Sequence, residues 1–443
     1  MGRLFGTDGI RGVANVDLKP TVAFGLGRAT AKRLAQPGGA IVVGQDTRRS
    51  GDMFVSAIVA GATSLGVDVH VVGVVPTPAL AYLARSGPYQ AGIMVSASHN
   101  PAEDNGLKVL DADGLKLDDA IEDELEALIW REGELGGVGN AQLGRRIAAE
   151  YAFEAYREHR LGLARSIDAS GLHVVLDGAN GSGGPVGREI LEATGARVEA
   201  INIEPDGVNI NVESGATAPA SLAREVAERG ADVGFALDGD ADRLIAVDDR
   251  GRVVDGDQVL GILALERLTR AALPGGLVVS VLSNGGLQTA VEAAGGEVVR
   301  TPVGDKYILD GMQVSGAMLG GEKSGHVIIL EHTTSGDGIV TALEVLRVMT
   351  KSNASLATLA EAIPLLPQQQ RAVKARHKDQ WEGDPTLRRA IADATARLGG
   401  TGRVLVRPSG TEPALRVMVE GPDEDLVKEL ADTLATLAGE RLN

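Results

Sequence analysis

The chain contains no cysteine among its 443 residues, and this absence excludes several kinds of chemistry at once. Without thiols there is no disulfide, no cysteine-ligated zinc and no thiol nucleophile. Aromatic residues make up only 3% of the chain, so the cores must be built from Val, Ile, Leu and Ala. No apolar run approaches the ~20 residues that span a bilayer, and the first residues lack the basic and apolar regions of a signal peptide. We therefore expect a cytoplasmic protein without a membrane partner.

Positive charge is also in short supply. Asp and Glu number 60 against 43 Lys and Arg, which leaves a formal net charge of −17. A field of that sign repels nucleic acid and anionic membrane surfaces, so we expect neither as a partner. If the substrate carries a phosphate, its site must be a local basic pocket that works against the charge of the whole molecule.

What the chain does contain is a repeated unit, which consists of an apolar run, a Gly-rich turn and a segment of helical period. The apolar runs cover residues 40–46, 173–177 and 276–282. Uninterrupted apolar strands bounded by Gly are typical of sheets covered on both faces, and their alternation with helices favours βαβ units. The pattern predicts the α/β class with three related domains. Residues 145–160 are predicted to form a helix that leads into the second of them.

The C-terminal region has a different pattern. Two β-rich runs lie close together at 403–406 and 415–419, and helix-period segments flank them at 385–398 and 423–442. This arrangement indicates a smaller α+β domain. Residues 364–367, together with the polar run after them, are the best candidate for a linker and hinge before it.

The first motif with chemical content is Ser-Ala-Ser-His-Asn-Pro at 96–101, which directly follows an apolar strand at 91–95. In open α/β sheets, ligands bind at the carboxyl ends of the strands. Ser98 is therefore expected at the edge of the sheet where a ligand would bind. The alternative is an ordinary polar turn. We do not expect a dyad of Ser98 and His99, because adjacent loop residues rarely point at each other and no orienting acid is evident.

The second motif places Asp238, Asp240 and Asp242 after the apolar strand 233–237. In extended chain these residues share one face, so their carboxylates should converge and repel one another unless a cation binds. Mg²⁺ takes oxygen ligands and leaves room for a substrate phosphate. The alternatives are an acidic solvated turn and an EF-hand loop. An EF-hand is disfavoured because its twelfth position would be Asp249 rather than Glu, and its sixth position is not Gly.

The third motif, at 407–413 with Arg416 nearby, is typical of an anion site. A Gly-containing turn at Gly410 can present backbone N–H groups to a phosphate. Ser409 and Thr411 add hydroxyl donors, and the guanidinium groups of Arg407 and Arg416 add forked, charge-assisted donors. The alternative interpretation is a hairpin turn that happens to carry these side chains.

Two further segments, taken alone, are weaker indications of a functional site. Glu322 and Ser324 share one face of extended chain and could hold two sugar hydroxyls, and His326 on the same face could handle a proton. The Gly-rich segment 5–12 could hold Arg11 in a site, although it could equally be a loop that is simply tied down.

In the same order and along nearly the whole chain, these five segments resemble the α-D-phosphohexomutase superfamily. The resemblance implies a four-domain architecture around a central cleft, with three related α/β domains and a smaller C-terminal α+β domain. The corresponding boundaries in this chain are 1–150 with the phosphoserine loop, 151–253 with the metal-binding loop, 254–366 with the sugar-binding loop and 367–443 with the phosphate-binding loop.

The resemblance also implies a role for each motif. Ser98 corresponds to the phosphoserine that transfers the phosphoryl group and also contributes to the site of one Mg²⁺ per subunit. Arg11, Lys108 and His326 surround the transfer and are candidates for proton handling. The remaining roles are metal binding by Asp238, Asp240 and Asp242, sugar binding by Glu322, Ser324 and His326, and phosphate binding by Arg407, Ser409, Gly410, Thr411 and Arg416.

Finer features, at 4–15, 303–307 and 333–340, resemble the branch of this superfamily that interconverts glucosamine 6-phosphate and glucosamine 1-phosphate. That branch implies a 1,6-bisphosphate intermediate, glucosamine or glucose 1,6-bisphosphate as activator, and a product used for UDP-N-acetylglucosamine and cell-wall synthesis. The resemblance is also compatible with a homodimer. Two residues depart from the branch: Lys323 stands where Gln is common, and Pro302 replaces a residue that is often basic.

Three other functions compete with this one. A phosphomannomutase or phosphoglucomutase would use the same machinery on another sugar. A Mg²⁺-dependent phosphatase would pass the phosphoryl group to water, but it needs only one phosphate site, and the 407–413 motif lies far along the chain from Ser98. A sugar-phosphate sensor on an inactive scaffold is disfavoured because Ser98 and all three aspartates are present.

Overall fold

The computed structural model describes residues 4–6, 8–409 and 413–443. By its internal contacts the chain divides into two compact units. The first comprises the chain up to Val281 together with Gly296–Ala362, and the second comprises Leu282–Gly295 together with Ile363–Asn443. Within the described residues, no helix is long and apolar enough to cross a membrane.

The N-terminal part of the first unit is built on a seven-stranded mixed sheet, ordered β1-β2-β6-β5-β3-β4-β7. Both faces are covered, because Ile41 and Val43 of one central strand pack into one apolar cluster while Val42 packs into another. That alternation is what a strand between two helical layers requires. The elements are β1 Phe5–Gly6, β2 Gly9–Val13, α1 Pro20–Arg33, β3 Ala40–Gln45, α2 Gly51–Thr63, β4 Asp68–Val74, α3 Thr77–Ser86, β5 Ala91–Val95, β6 Asp104–Asp111, α4 Asp119–Trp130 and β7 Arg146–Ala148.

The next part of the chain forms a five-stranded sheet, ordered β12-β11-β10-β8-β9. Its inner strands at 233–237 and 244–248 are fully buried and are apolar apart from Asp248, as expected where helices cover both faces. The elements are α5 Phe153–Ala164, β8 His173–Asp177, α6 Gly184–Glu192, β9 Arg197–Ile201, α7 Pro219–Arg229, β10 Val233–Leu237, β11 Leu244–Asp248 and β12 Val253–Val254.

A third sheet has four strands, ordered β14-β13-β15-β16. The elements of this part of the chain are α8 Gly256–Thr269, β13 Leu277–Ser280, α9 Gly285–Ala293, β14 Val298–Thr301, α10 Asp305–Ser315, β15 Leu319–Gly321, β16 Val327–Ile329, α11 Gly338–Ser352 and α12 Leu356–Glu361. By its contacts, α9 groups with the second compact unit.

The three sheets share one topology, which confirms the prediction of three related α/β domains. In each, a central strand has a parallel neighbour on both sides, and an antiparallel strand follows beyond one of them; these sets are β4-β3-β5-β6, β9-β8-β10-β11 and β14-β13-β15-β16. The loop before the antiparallel strand carries a predicted motif each time. Ser98 follows β5, Asp238 follows β10 and Glu322 follows β15.

The C-terminal domain is a three-stranded antiparallel sheet, ordered β17-β19-β18, with two long helices packed on it. This confirms the predicted smaller α+β domain. The polar run after Pro367 is not a linker, however, because it forms β17 and pairs with β19 along its whole length. The elements are β17 Gln368–Lys374, α13 Pro385–Arg397, β18 Arg403–Pro408, β19 Ala414–Glu420 and α14 Glu424–Leu442.

The predicted helix over 145–160 is wrong in its first half. Arg146–Ala148 forms β7, which pairs in parallel with β4. The turn into it is fixed by Asp68, whose carboxylate accepts a hydrogen bond from the Arg145 N–H at 2.7 Å. Helix α5 begins only at Phe153. An edge strand needs one buried face at most, so its sequence carries little of the apolar signal that marks β3 or β5.

Candidate active site

Ser98 lies in the loop between β5 and β6 with its side chain fully buried. Its backbone has a φ of 51°, in the left-handed region that non-glycine residues rarely adopt. Its Oγ donates a hydrogen bond of 2.5 Å to Oδ2 of Asp238. The two residues are 140 positions apart in the chain, and they come from loops at equivalent places in the first and second sheets.

His99 does contact Ser98, contrary to the expectation that the two would point apart. Its Nδ1 lies 3.3 Å from Ser98 Oγ. The physical reason is the left-handed backbone at Ser98, which turns the chain sharply between the two side chains. Burial, with the positive charges of Arg243 and Arg11, lowers the pKa of His99 to about 4. The imidazole is therefore neutral at physiological pH.

The three aspartates after β10 converge, as predicted, but not because the chain is extended. Residues 238–242 form a turn in which the Ala241 N–H donates to the Asp238 carbonyl at 3.0 Å, and Ala241 has a φ of 56°. One carboxylate oxygen from each aspartate lies within 4.8 Å of the others, and all three residues are buried. A turn brings the carboxylates closer together than alternate positions of a strand would.

The arrangement of donors around this triad fits a metal ion. Asp238 Oδ2 accepts from Ser98, and Asp240 Oδ2 accepts from Thr77 Oγ1 at 2.6 Å and from Lys108 Nζ at 2.8 Å. Oδ1 of Asp240 and Oδ1 of Asp242 are buried and accept no hydrogen bond from the described residues. Buried polar atoms are normally hydrogen-bonded, so these two oxygens are available to a cation.

The electrostatics of the triad lead to the same conclusion. Burial, with the carboxylates of Asp242 and Asp240, raises the pKa of Asp238 well above its usual value. The pKa of Asp242 is held well below its usual value, because Lys108 and His326 outweigh the effect of burial. One acid of the three thus resists ionisation beside the others, and a divalent cation would relieve that repulsion.

Lys108, on β6, is the cation that these acids share. Its Nζ lies 2.8 Å from Asp240, 3.5 Å from Asp242 and 3.3 Å from Asp8. Burial alone would lower the pKa of Lys108, but Asp240, Asp8 and Asp242 outweigh it and hold that pKa well above its usual value. Lys108 therefore remains charged.

We predict that Lys108→Met destabilises the fold strongly. The variant removes one cation from three carboxylates, two of which are fully or nearly fully buried, and breaking a buried ion pair typically costs about 3–5 kcal/mol. Denaturant unfolding in the presence of a chelator should show that loss. Lys32→Met, on the exposed face of α1, is the matched control and should lie within about 0.5 kcal/mol of the parent. Equal stabilities for the two variants would contradict the assigned role.

Three charged residues close to Lys108 were not identified as site residues from the sequence, namely Asp8, Lys116 and Asp305. Asp8 also pairs with Arg11 and with Lys116, and Lys116 in turn pairs with Asp305 at the start of α10. Asp305 Oδ2 lies 3.6 Å from Nε2 of His326. Lys108, Lys116, Asp305 and His326 line a cavity of about 20 Å³, the space of one water molecule. Arg11 donates to Asn100 Oδ1 at 2.9 Å and so joins this set to the serine loop.

The 322–326 segment is also a turn rather than an extended chain, because the Gly325 N–H donates to the Glu322 carbonyl at 3.0 Å. His326 Nδ1 lies 3.7 Å from Asp242, which brings this loop to the aspartate triad. Glu322 Oε1 accepts from the Gly304 N–H at 3.1 Å. The buried Oγ of Ser324 has no hydrogen-bond partner among the described residues, so it is available to a ligand.

The predicted phosphate-binding loop, in the second unit, is described in part. Arg407 on β18 and Arg416 on β19 stand directly opposite each other in the antiparallel ladder, so their side chains share a face. The Ser409 N–H donates to the Ala414 carbonyl at 2.8 Å, and Lys378 donates to the Ser409 carbonyl. Gly410 and Thr411, which were predicted to bind phosphate, lie outside the described residues.

Comparison with solved structures agrees with this architecture. A phosphoglucomutase/phosphomannomutase family protein from Burkholderia thailandensis superposes with a TM-score of 0.84 at 27% identity, covering 100% of this chain and 98% of that one. The N-acetylphosphoglucosamine mutase of Aspergillus fumigatus, solved with GlcNAc-6P and magnesium, has a TM-score of 0.71 at 20% identity, covering 99% and 96% of the two chains. The second likeness is one of fold alone.

Relatives found by sequence comparison have a higher identity to this chain. The phosphoglucosamine mutase of Moorella thermoacetica is 50% identical over 442 residues, with 99% of each chain covered. That of Alcanivorax borkumensis is 43% identical over 443 residues, covering 100% of this chain and 99% of the other. Models of the four phosphoglucomutase/phosphomannomutase domains match in order, with domain I at 2–135, domain II at 153–251, domain III at 255–365 and the C-terminal domain at 370–437. The chain therefore belongs to the phosphoglucomutase/phosphomannomutase family.

Proposed function

We propose that this protein interconverts glucosamine 6-phosphate and glucosamine 1-phosphate, with Ser98 carrying the transferred phosphoryl group. One observation carries the proposal. The Oγ of Ser98 is 2.5 Å from Asp238, the first acid of a buried carboxylate triad. A serine hydroxyl beside such a triad is suited to phosphoryl transfer, which depends on positioning and charge neutralisation.

The triad would hold one Mg²⁺, with Asp238, Asp240 and Asp242 as ligands and an oxygen on Ser98 beside them. Bound there, the ion would neutralise charge on the transferring phosphoryl group. The donor set supports Mg²⁺ as the ion, because hard carboxylate oxygens together with a substrate phosphate favour it.

In the first half-reaction, phosphorylated Ser98 gives its phosphoryl group to the free hydroxyl of the bound sugar phosphate. The bond between phosphorus and Ser98 Oγ breaks while a bond to the sugar oxygen forms, and the product is the 1,6-bisphosphate. Arg11, Lys108 and His326 are the predicted proton-handling groups around the transfer. Arg11 and Lys108 already carry their protons and act as donors, so the hydroxyl proton passes to the imidazole of His326 in its neutral form. The bisphosphate then reorients, and its other phosphoryl group returns to Ser98.

Two further loops are proposed to bind the substrate. Glu322, Ser324 and His326 are proposed to hold the sugar, and the available hydroxyl of Ser324 supports this. Arg407 and Arg416, which share one face of a hairpin, are proposed to hold the phosphate that is not being transferred, together with Ser409, Gly410 and Thr411. Fixing that phosphate would orient the reacting hydroxyl and remove much of the entropic barrier.

The choice of glucosamine rests on the relatives. The proteins that match over the full chain at 43–50% identity are phosphoglucosamine mutases. Lys323, the first departure from that branch, lies 3.8 Å from Asp255 at the start of α8. Pro302, the second, is exposed and precedes Gly304, which contacts Glu322. The family also includes enzymes for mannose and glucose phosphates, so these sugars are the competing substrates to test.

The direct test offers three substrates in parallel. Purified protein is incubated with Mg²⁺ and a trace of glucose 1,6-bisphosphate, and glucosamine, mannose or glucose 6-phosphate is added. Phosphorus NMR follows the 1-phosphate product. We expect glucosamine 6-phosphate to react with the highest kcat/KM. Preference for mannose or glucose would overturn the sugar assignment while keeping the chemistry. Release of inorganic phosphate without any 1-phosphate would indicate a phosphatase.

A second prediction concerns Thr77, whose hydroxyl donates to Asp240 at 2.6 Å. Thr77→Val keeps the shape of the side chain but removes the donor, and loss of such a supporting contact typically costs about 10–100-fold in metal affinity. Titration of activity with Mg²⁺ should show that shift. Thr30→Val is the matched control, because Thr30 is equally buried and lies in α1. An unchanged Mg²⁺ dependence in Thr77→Val would contradict the prediction.

A further inference from the structure

The backbone of Ser98 is held on both sides by one closed set of hydrogen bonds. The Ser98 N–H donates to Ser96 Oγ at 2.9 Å, and Ser96 Oγ donates to Asp46 Oδ2 at 2.6 Å. The same Asp46 oxygen accepts from Arg48 Nε at 2.9 Å, and Arg48 Nη2 donates to the Ser98 carbonyl at 3.0 Å. This chain of hydrogen bonds therefore starts at the N–H of Ser98, the proposed nucleophile, and ends at its carbonyl group.

Arg48 donates four of its five N–H groups to backbone carbonyls between Ser98 and Asp104. A guanidinium has five N–H donors. Besides Asp46, Arg48 binds three carbonyls of the serine loop, those of Ser98, Asn100 and Pro101, and the carbonyl of Asp104 at the start of β6. Its exposed fraction is 2%. A buried ion pair contributes little net stability compared with apolar packing, so a charge that binds one loop in this way is better explained by the geometry that it imposes.

A residue of the neighbouring domain also binds the serine loop. Asn211 lies between β9 and α7, and its Nδ2 donates to the carbonyls of Ser98 at 2.9 Å and Asn100 at 3.0 Å. Arg48 Nη2 binds these same two carbonyls. The approach is close: a Cβ added to Gly239 would lie 2.7 Å from the Ser98 carbonyl oxygen and 3.1 Å from Asn211 Nδ2.

We propose that Asp46, Arg48 and Asn211 are positioning residues, here called the serine-loop clamp, which set the reactivity of Ser98 without contacting the substrate. The left-handed φ of 51° at Ser98 needs such support. Asn211 and Asp238 both belong to the second domain, so that domain grips the serine at its carbonyl and at its hydroxyl. The clamp thereby fixes the serine of one domain against the metal loop of the other.

This inference rests on the proposed function, because Ser98 acts there as phosphoryl donor in one step and acceptor in the next. Both steps require the same Oγ position in line with phosphorus. A displacement of about 1 Å can cost about 100-fold in rate. Loosening the clamp should therefore lower kcat and leave sugar binding unchanged.

The test replaces Asn211 by glycine. Asn211 has a φ of 60°, which glycine adopts without strain, so the variant loses the amide donor and keeps the backbone. We expect kcat for glucosamine 6-phosphate to fall about 10–100-fold, with KM changed less than about twofold. Asn353→Gly is the matched control, because Asn353 ends α11 with a φ of 49°; its kinetics should equal those of the parent.

Arg48→Lys is a companion variant that keeps the charge beside Asp46 but cannot serve four carbonyls at once. It should show the same fall in kcat with unchanged KM. Equal kcat in Asn211→Gly and the parent would overturn the proposal. So would a rise in KM at constant kcat, because the loop would then be a substrate-binding element.

Hydrogen–deuterium exchange gives a second readout that does not depend on turnover. We expect the peptide covering residues 96–107 to exchange faster in Asn211→Gly than in the parent and in Asn353→Gly. If the parent itself converts none of the three hexose phosphates, the proposed function fails, whereas faster exchange would still support the clamp. Unchanged exchange would overturn the clamp whatever the activity.

Discussion

Replacing Ser98 by alanine is expected to lower turnover of glucosamine 6-phosphate by at least about 10⁴-fold, as for other enzymes that lose their nucleophile. The variant has no oxygen to carry the phosphoryl group, so neither half-reaction can proceed. Incubation with a hexose 1,6-bisphosphate should phosphorylate the parent protein and leave the variant unmodified. Intact-mass spectrometry measures that difference directly and does not depend on the turnover assay.

The fold should survive this change. The Ser98 side chain is small and makes one strong hydrogen bond, to Asp238. Because φ is 51° at this position, Ser98→Gly is a useful second variant that removes the hydroxyl without backbone strain. Ser86→Ala, at the exposed end of α3, is the matched control and should keep full activity. An active, folded Ser98→Ala protein would contradict the central assignment.

Replacing Asp238 by asparagine is expected to separate metal binding from folding. The change keeps the shape but removes one of three crowded negative charges, and the raised pKa of Asp238, caused by burial and by Asp242 and Asp240, reflects that crowding. In a chelator the variant should be as stable as the parent or more stable. Activity should fall at least about 10²–10³-fold, because charge on the transferring phosphoryl group is no longer neutralised.

Thermal unfolding with and without Mg²⁺ measures the two effects. A ligand that binds the native state at 100 times its Kd adds about 2.7 kcal/mol of stability, so Mg²⁺ should raise the melting temperature of the parent but not that of Asp238→Asn. Asp249→Asn, in the exposed turn after β11, is the matched control and should respond like the parent. A Mg²⁺-dependent rise in Asp238→Asn would show that the ion binds elsewhere.

The buried strands were predicted from the sequence most accurately. The strands predicted at 91–95, 173–177 and 233–237 are β5, β8 and β10 without a shift. Each is an apolar run that ends at a polar or glycine-containing turn, and both of its faces must be covered. Two edge strands were missed, although the edge strand β18 was predicted at 403–406. β7 and β17 were predicted as part of a helix and as a linker, because a strand at the edge of a sheet can be polar on one face.

The site motifs followed from residue type and position at strand ends, but their geometry did not. An extended chain was expected at 238–242 and at 322–326, and both are turns. The side chains converge all the same, since a turn shortens the distances that an extended chain would leave. The contact of Ser98 with His99 was not expected, because nothing local in the sequence indicates a left-handed residue at Ser98.

The sequence by itself determined the α/β class, the order of the motifs and the residue types of the candidate site, because these depend on short-range pattern and on what carboxylates, hydroxyls and guanidinium groups can do. Only the tertiary structure decided which of them meet. Ser98 and Asp238, Thr77 and Asp240, and Asn211 and the serine loop are joined across more than 100 residues of chain. Such contacts are set by how loops from separate sheets come together, and no local pattern encodes that distance.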